Sequence, residues 1–184
     1  MLSDIYGLTE AFRRLAQSIH NDAIVIGPYD SDEVVFTDET KAYTYFSQQT
    51  NVIDYAAKVQ SFLENSGKAA FIVGFSVGAS ALWHLSAKHP QWIVAGIGYY
   101  GSQIRKTLEL RPCVPVDFVF PKYEAHFDVQ DVIECLCKLN NVTVSQVPYL
   151  HGFMNALSPH FEQSCCIAEM SRIRQLVTNI EKEM

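Results

Sequence analysis

One stretch decides the fold of this chain: Ala69-Ala70-Phe71-Ile72-Val73-Gly74-Phe75-Ser76-Val77-Gly78-Ala79-Ser80. Its first residues form an apolar run typical of a short buried strand, and the small residues after Gly78 open a helical pattern. The turn between them reads G-x-S-x-G, which between a strand and a helix is typical of a nucleophile elbow. We therefore expect Ser76 to occupy a sharp, strained turn with its hydroxyl clear of the backbone. The alternative is an ordinary strand–turn–helix junction.

Close packing is expected to require both glycines of this turn. Gly74 and Gly78 lie two residues before and two residues after Ser76. A Cβ atom at either position would clash where the strand and the helix approach each other. In the alternative interpretation, the glycines serve that packing and Ser76 has no chemical role.

Apolar runs and helical periodicities alternate along the rest of the chain. Besides the strand before Ser76, we expect strands at residues 23–27, 93–99, 114–120 and 142–147. We expect helices at residues 8–19, 52–63, 77–88, 129–139 and 166–180, with Thr9 and Asp128 as N-caps. This alternation predicts an α/β fold in which a mostly parallel sheet lies between two helical layers, a three-layer α/β/α sandwich. The whole chain, residues 1–184, is expected to form a single domain.

A long polar connection separates the second predicted strand from the second predicted helix. Residues 29–50 are rich in acidic side chains, with a few aromatic residues among them. A connection of this length is usually functional or carries some structure of its own. We expect it to lie over one end of the sheet and to shape a shallow site around Ser76, because active sites of parallel sheets lie beyond the carboxyl ends of the strands.

Composition and charge narrow the classes of partner. Hydrophobic residues make up 48% of the chain and charged residues 18%, as in soluble globular proteins. The formal net charge is −6 and no basic block occurs, which argues against nucleic acid and anionic membrane surfaces as partners. No apolar run is long enough to span a bilayer, and the first residues lack the pattern of a signal peptide. We expect a cytoplasmic protein.

The five cysteines do not form a metal-binding or disulfide pattern. Their number is odd and none makes a C-x-x-C pair. We therefore expect no metal site and no disulfide, and interpret the cysteines as buried free thiols. They are Cys113, Cys135, Cys137, Cys165 and Cys166.

A catalytic serine needs a base and an acid that orients the base. In the G-x-S-x-G fold the chain order is serine, acid, histidine. His84 and His89 lie on the helix that leaves the turn and are expected to point away from the rim of the sheet. His151 follows a predicted strand and precedes Gly152, in a loop from which an imidazole can reach Ser76. The alternative for His151 is a loop histidine without a catalytic role.

Two carboxylates are candidates for the acid. Glu124 lies four residues past the predicted strand 114–120, and Asp128 lies further along at a predicted helix start. We favour Glu124, because Asp128 has a competing role as a helix cap. The alternative for Glu124 is a solvated loop carboxylate. The oxyanion hole is expected to use the backbone N–H of Val77, with a second donor near Ile5 or Tyr6.

Together these residues resemble the dienelactone hydrolase family of α/β-hydrolases. The resemblance extends from Asp4 to about Asn155 and implies a minimal α/β-hydrolase fold without a large cap. It also implies that Ile5 is the second oxyanion donor and that no cofactor is needed. The segments that carry it are Asp4-Ile5-Tyr6-Gly7-Leu8, Gly74-Phe75-Ser76-Val77-Gly78, Tyr99-Tyr100-Gly101 and His151-Gly152-Phe153.

The chain departs from this family in four respects. The founding members carry cysteine where this chain has Ser76, and the acid is usually aspartate where we expect Glu124. We expect the strands that usually precede the first core strand to be absent from this sequence. Family members that cleave dienelactones hold a substrate carboxylate with arginines, but no arginine occurs between residues 14 and 105 or between residues 111 and 172. We therefore expect a small neutral ester or thioester as the substrate.

The leading hypothesis is a small serine hydrolase in which Ser76 attacks, His151 moves the proton and Glu124 orients His151. Acyl transfer to another acceptor would use the same acyl-enzyme. The alternative from a different class is a catalytically silent α/β-hydrolase scaffold that binds a ligand or a protein. An exposed edge strand could also pair two subunits into a homo-oligomer.

Overall fold

The computed structural model describes residues 1–183 and contains a parallel four-stranded sheet. Each strand pairs in parallel with the next strand along the chain. The strands are β1 (Ala70–Phe75), β2 (Ile93–Tyr99), β3 (Val116–Phe120) and β4 (Val142–Gln146). The predicted α/β fold with a mostly parallel sheet is confirmed.

The first residues of the chain extend the sheet beyond β1. Leu2 forms parallel bridges with Gly74 on one side and with Ile26 on the other. The predicted strand at residues 23–27 was wrong in extent, because pairing there is limited to the bridge at Ile26. The pairing cannot continue beyond Ile26, because Pro28 has no N–H to donate to the first residues of the chain.

In the part of the chain that the structure describes, six α-helices surround the sheet, and the starts of several follow local capping chemistry. Thr9 Oγ1 accepts from the N–H of Phe12 at 3.2 Å, and Asp128 Oδ1 accepts from the N–H of Gln130 at 2.9 Å, so both predicted caps are confirmed. No helix within residues 1–183 has the length and apolar character needed to cross a membrane. The helices are α1 (Glu10–Ile19), α2 (Glu39–Gln49), α3 (Val52–Ser66), α4 (Val77–Lys88), α5 (Val129–Leu136) and α6 (Gln163–Glu183).

The sheet has an apolar core on each face. Consecutive residues of β3 show the division, because they point to opposite faces: Phe118 belongs to the core under α3, α4 and α5, whereas Val119 belongs to the core under α1 and α6. The predicted three-layer sandwich is therefore confirmed. The polar residue within β3, Asp117, accepts a hydrogen bond from Arg172 Nη2 of α6 at 2.9 Å, so its charge is paired across this interface.

The connection over residues 29–50 contains a helix that was not predicted. Asp38 caps α2, since its Oδ1 accepts from the N–H of Lys41 at 2.8 Å. Only Ala42 and Phe46 of this helix are buried, so its apolar residues form a narrow stripe. The apolar periodicity of this segment is too weak to predict a helix, so the sequence predicted only a connection here.

The prediction of buried thiols was correct for only two cysteines. Cys165 and Cys166 are buried, whereas Cys113, Cys135 and Cys137 are exposed. Cys135 and Cys137 lie at the end of the short helix α5, where only one stripe of residues contacts the sheet. All five thiols are free.

Candidate active site

Ser76 occupies the turn between β1 and α4 in a conformation that non-glycine residues rarely adopt. Its backbone has φ 52° and ψ −110°, a region that costs about 1–3 kcal/mol. Two hydrogen bonds fix the turn: the N–H of Ser76 donates to the carbonyl of Tyr99 at 2.9 Å, and the N–H of Ser80 donates to the carbonyl of Ser76 at 3.1 Å. The sharp, strained turn that the sequence predicts is present.

The glycines around Ser76 allow close backbone contacts, as predicted. A Cβ atom built on Gly74 would lie 2.5 Å from the carbonyl oxygen of Gly78. A Cβ atom on Gly78 would lie 2.5 Å from the carbonyl oxygen of Leu2. Both contacts are with backbone atoms that cannot move aside, so the turn packs α4 directly against β1 and the first residues of the chain.

Ser76, His151 and Glu124 form a continuous chain of hydrogen bonds. Ser76 Oγ lies 3.0 Å from His151 Nε2, and His151 Nδ1 lies 2.6 Å from Glu124 Oε1. The carboxylate accepts the Nδ1 proton, so the lone pair of Nε2 faces the serine hydroxyl. Ser76 is buried, and the side chains of His151 and Glu124 are 28% and 11% exposed. The arrangement can transfer a proton from the hydroxyl to the imidazole.

The other candidate residues from the sequence lie elsewhere. Asp128 accepts from Gln130 at the start of α5, and Glu124 is the carboxylate that contacts His151. His84 and His89 border a separate pocket at the outer side of α4. Burial lowers the pKa of His84, so this imidazole stays neutral to lower pH than usual.

The two candidate oxyanion donors border the same cleft as Ser76. Val77 is the first residue of α4, so its N–H has no partner inside the helix. The N–H groups of Tyr6 and Gly7 both donate to Asp4, whereas the N–H of Ile5 has no hydrogen-bond acceptor within residues 1–183. Both Ile5 and Val77 border the cleft that contains Ser76 and His151. Two free N–H groups are therefore available next to the serine.

The cleft around Ser76 has a volume of about 340 Å³. No lysine or arginine of the described chain borders it. Within residues 1–183, no group of three or more His, Cys, Asp and Glu side chains is placed to hold a metal ion. Besides the residues above, the cleft is bordered by Glu39, Tyr43 and Phe46 of α2 and by Ser102, Gln103, Tyr123, Ala125, His126, Leu150 and His160.

Two residues next to the site were not predicted from the sequence. Asp4 is buried, and this burial raises its pKa to about 6. Hydrogen bonds from N–H groups of Tyr6 and Asn155 to its carboxylate lower the pKa, but by less than burial raises it. Tyr100 is buried with its ring centroid 4.9 Å from that of His151, and burial raises the pKa of its hydroxyl well above the usual range. An acidic residue directly before the candidate oxyanion donor Ile5 was the signal in the sequence that could have identified Asp4.

A sequence relative matches most of the chain. Protein YczH of Bacillus subtilis (strain 168), an uncharacterized protein, is 31% identical over 178 residues. The match covers 93% of this chain and 87% of YczH. No protein-family model matches the chain.

Solved structures with the same architecture cover nearly the whole chain. The monoacylglycerol lipase of Paleococcus ferrophilus superposes with a TM-score of 0.64 at 9% identity, over 95% of this chain and 93% of the lipase. The dienelactone hydrolase of Anabaena variabilis superposes with a TM-score of 0.56 at 11% identity, over 97% of this chain and 81% of that enzyme. The chain has the α/β-hydrolase fold.

Proposed function

Since the chain belongs to the family of the Bacillus subtilis protein YczH and has the α/β-hydrolase fold, we propose that it is a small serine hydrolase that cleaves a carboxylic ester or thioester. One observation carries the proposal: Ser76 Oγ lies 3.0 Å from His151 Nε2, on a strained turn. A serine becomes a nucleophile when a base within hydrogen-bond distance takes its proton.

The reaction follows from the positions of these atoms. Ser76 Oγ attacks the acyl carbon while its proton passes to His151 Nε2, and the leaving group then departs with that proton. The N–H groups of Val77 and Ile5 bind the oxyanion of the tetrahedral intermediate. Water gives a proton to His151 and attacks the acyl carbon. The bond to Ser76 Oγ then breaks, His151 returns the proton to Ser76 Oγ, and the carboxylic acid is released. Another acceptor in place of water would give acyl transfer.

The charges around the cleft favour a neutral substrate. Glu39 and Glu124 border the cleft, and no lysine or arginine of the described chain does. A substrate carboxylate would meet like charges and find no cationic partner. This supports a neutral ester as the substrate rather than an anionic lactone, although the order of the motifs resembles that of the dienelactone hydrolase family.

An activity-based probe tests the nucleophile. We expect a fluorophosphonate to label wild-type protein at Ser76, because the probe reacts with serines that a base activates. Mass spectrometry identifies the labelled residue. Ser76→Ala should lose the label. Ser86→Ala is the matched control and should keep the label. Ser86 is a buried serine of α4, and its hydroxyl donates to the carbonyl of Trp83.

Folded wild-type protein without a label would contradict the proposal. The fold would then be better explained as a catalytically silent scaffold that binds a ligand or a protein. Hydrolysis of a neutral p-nitrophenyl ester by wild-type protein and by Ser86→Ala, but not by Ser76→Ala, would extend the result from the nucleophile to turnover.

A further inference from the structure

The carboxylate of Asp4 binds two loops of the site at once. Its Oδ1 accepts from the N–H of Tyr6 at 2.9 Å, and its Oδ2 accepts from Asn155 Nδ2 at 2.8 Å. The residue between Asp4 and Tyr6 is Ile5, the proposed oxyanion donor. Asp4 therefore closes a tight turn around the Ile5 backbone and connects that turn to a second segment.

The second segment is the loop that carries His151. The N–H of Asn155 donates to the carbonyl of Gly152 at 2.9 Å, and its Oδ1 accepts from the N–H of Leu157 at 2.8 Å. With its oxygen bound to Leu157, the Asn155 side chain presents its amide nitrogen to Asp4. Asn155 is thus fixed within the His151 loop before it reaches Asp4.

The two segments enclose the space directly beside the serine. Asp4, Ile5, Ser76, His151 and Asn155 all border one small space of about 20 Å³. The Asp4–Asn155 bond joins residues 151 positions apart. The candidate oxyanion donor and the base lie on separate loops, and this side-chain contact connects the two loops directly.

The contact between the two loops requires a carboxylate to be buried. Taking a carboxylate out of water costs free energy that hydrogen bonds only partly recover. The raised pKa of Asp4 reflects that cost. A carboxylate has two oxygens that only accept, and here one oxygen binds each loop. This geometry explains why an acid is present at a buried position.

We propose that Asp4 is a positioning residue that, through Asn155, holds the Ile5 N–H and the His151 imidazole in their relative places around Ser76. The inference rests on the proposed function. Because an oxyanion donor acts mainly on the transition state, a displaced Ile5 lowers kcat and leaves KM nearly unchanged.

An exchange of the two side chains tests the pair. In Asp4→Asn, an amide at position 4 cannot accept from both Tyr6 and Asn155, so one bond is lost. We expect kcat on a neutral p-nitrophenyl ester to fall about 10- to 100-fold with KM within about twofold. The double variant Asp4→Asn/Asn155→Asp can form all three hydrogen bonds again. The amide oxygen at position 4 accepts from the N–H of Tyr6, its amide nitrogen donates to the carboxylate at position 155, and that carboxylate also accepts from the N–H of Leu157. The double variant should recover most of kcat.

Two further variants separate positioning from stability. Asp117→Asn weakens the Asp117–Arg172 contact away from the site and should lower the melting temperature without a change in kcat. Asn155→Ala removes the donor to Asp4 and should reproduce the loss of kcat, which keeps the proposal testable if Asp4→Asn does not fold.

The outcomes separate this inference from the proposed function. Unlabelled Ser76 in folded wild-type protein overturns both. Labelled Ser76 with an unchanged kcat in Asp4→Asn or Asn155→Ala overturns the positioning role alone. A folded double variant that stays as slow as Asp4→Asn also overturns it, because the restored bonds would then have no effect.

Discussion

Asp4 makes the stability of the protein depend on pH in an unusual direction. Its pKa is raised from 3.8 to about 6 in the folded state by burial. The folded protein therefore binds a proton that the unfolded chain has released between these two pH values, so this group stabilises the fold as the pH falls. Above pH 6 the charged carboxylate destabilises the fold by about 3 kcal/mol relative to the protonated form.

Asp4→Asn removes this dependence. Between about pH 7.5 and about pH 5, we expect the wild type to gain on the order of 1 kcal/mol of unfolding free energy relative to the variant. Urea unfolding at the two pH values measures the difference, in which the other titrating groups cancel. A difference that is independent of pH would show that Asp4 titrates normally in the folded state.

Glu124 and Asp128 lie close in sequence but should respond differently to mutation. Glu124→Gln removes the charge that fixes the Nδ1 proton of His151, so we expect kcat to fall roughly 10³-fold while the fold is kept. Asp128→Ala removes the cap of α5 and should cost about 1 kcal/mol of stability with kcat unchanged. Ester kinetics and thermal unfolding of both variants check this. A comparable loss of kcat in Asp128→Ala would contradict the assignment of Glu124.

At the scale of elements, α2 sets the charge at the entrance to the site. Glu39, in its first turn, borders both the cleft and the small space beside Ser76, and its charge contributes to the raised pKa of Asp4. Glu39→Gln should raise kcat/KM for a carboxylate-bearing ester relative to a neutral ester by about two- to fivefold, less at high salt.

The control for this charge effect is Glu33→Gln. Glu33 is an exposed acid of the same connection that does not border the cleft. It should leave the preference between the two esters unchanged. Equal preferences in Glu39→Gln and wild type would show that α2 does not select substrates by charge.

Some helices and strands could be predicted from local sequence patterns, and others could not. Thr9 and Asp128 were identified as caps because a short polar side chain before an apolar period satisfies the free N–H groups of a helix start. Helix α2 has a cap too, Asp38, but its apolar stripe is too narrow to show a period. The strand expected at 23–27 has the right composition, yet the pairing stops at Ile26 because Pro28 has no N–H to donate to the first residues of the chain.

At the scale of the whole molecule, the order of elements was predictable and the contacts between distant loops were not. Alternating strands and helices restrict the chain to a parallel sheet between two helical layers, even where the bounds of single elements are predicted wrongly. The Asp4–Asn155 bond depends on side-chain directions that spacing does not encode. The single domain, the cytoplasmic location and the absence of nucleic-acid and membrane partners stay predictions.

The bond between Asp4 and Asn155 also has a consequence for biosynthesis. A ribosome releases Asp4 long before Asn155, and the loop between them is costly to close. Until Asn155 has left the ribosome, the carboxylate of Asp4 lacks its partner on the His151 loop. We therefore expect the proposed ester hydrolysis to begin only after the C-terminal segment has left the ribosome, because His151 and the Asp4–Asn155 bond are both absent from the site before then.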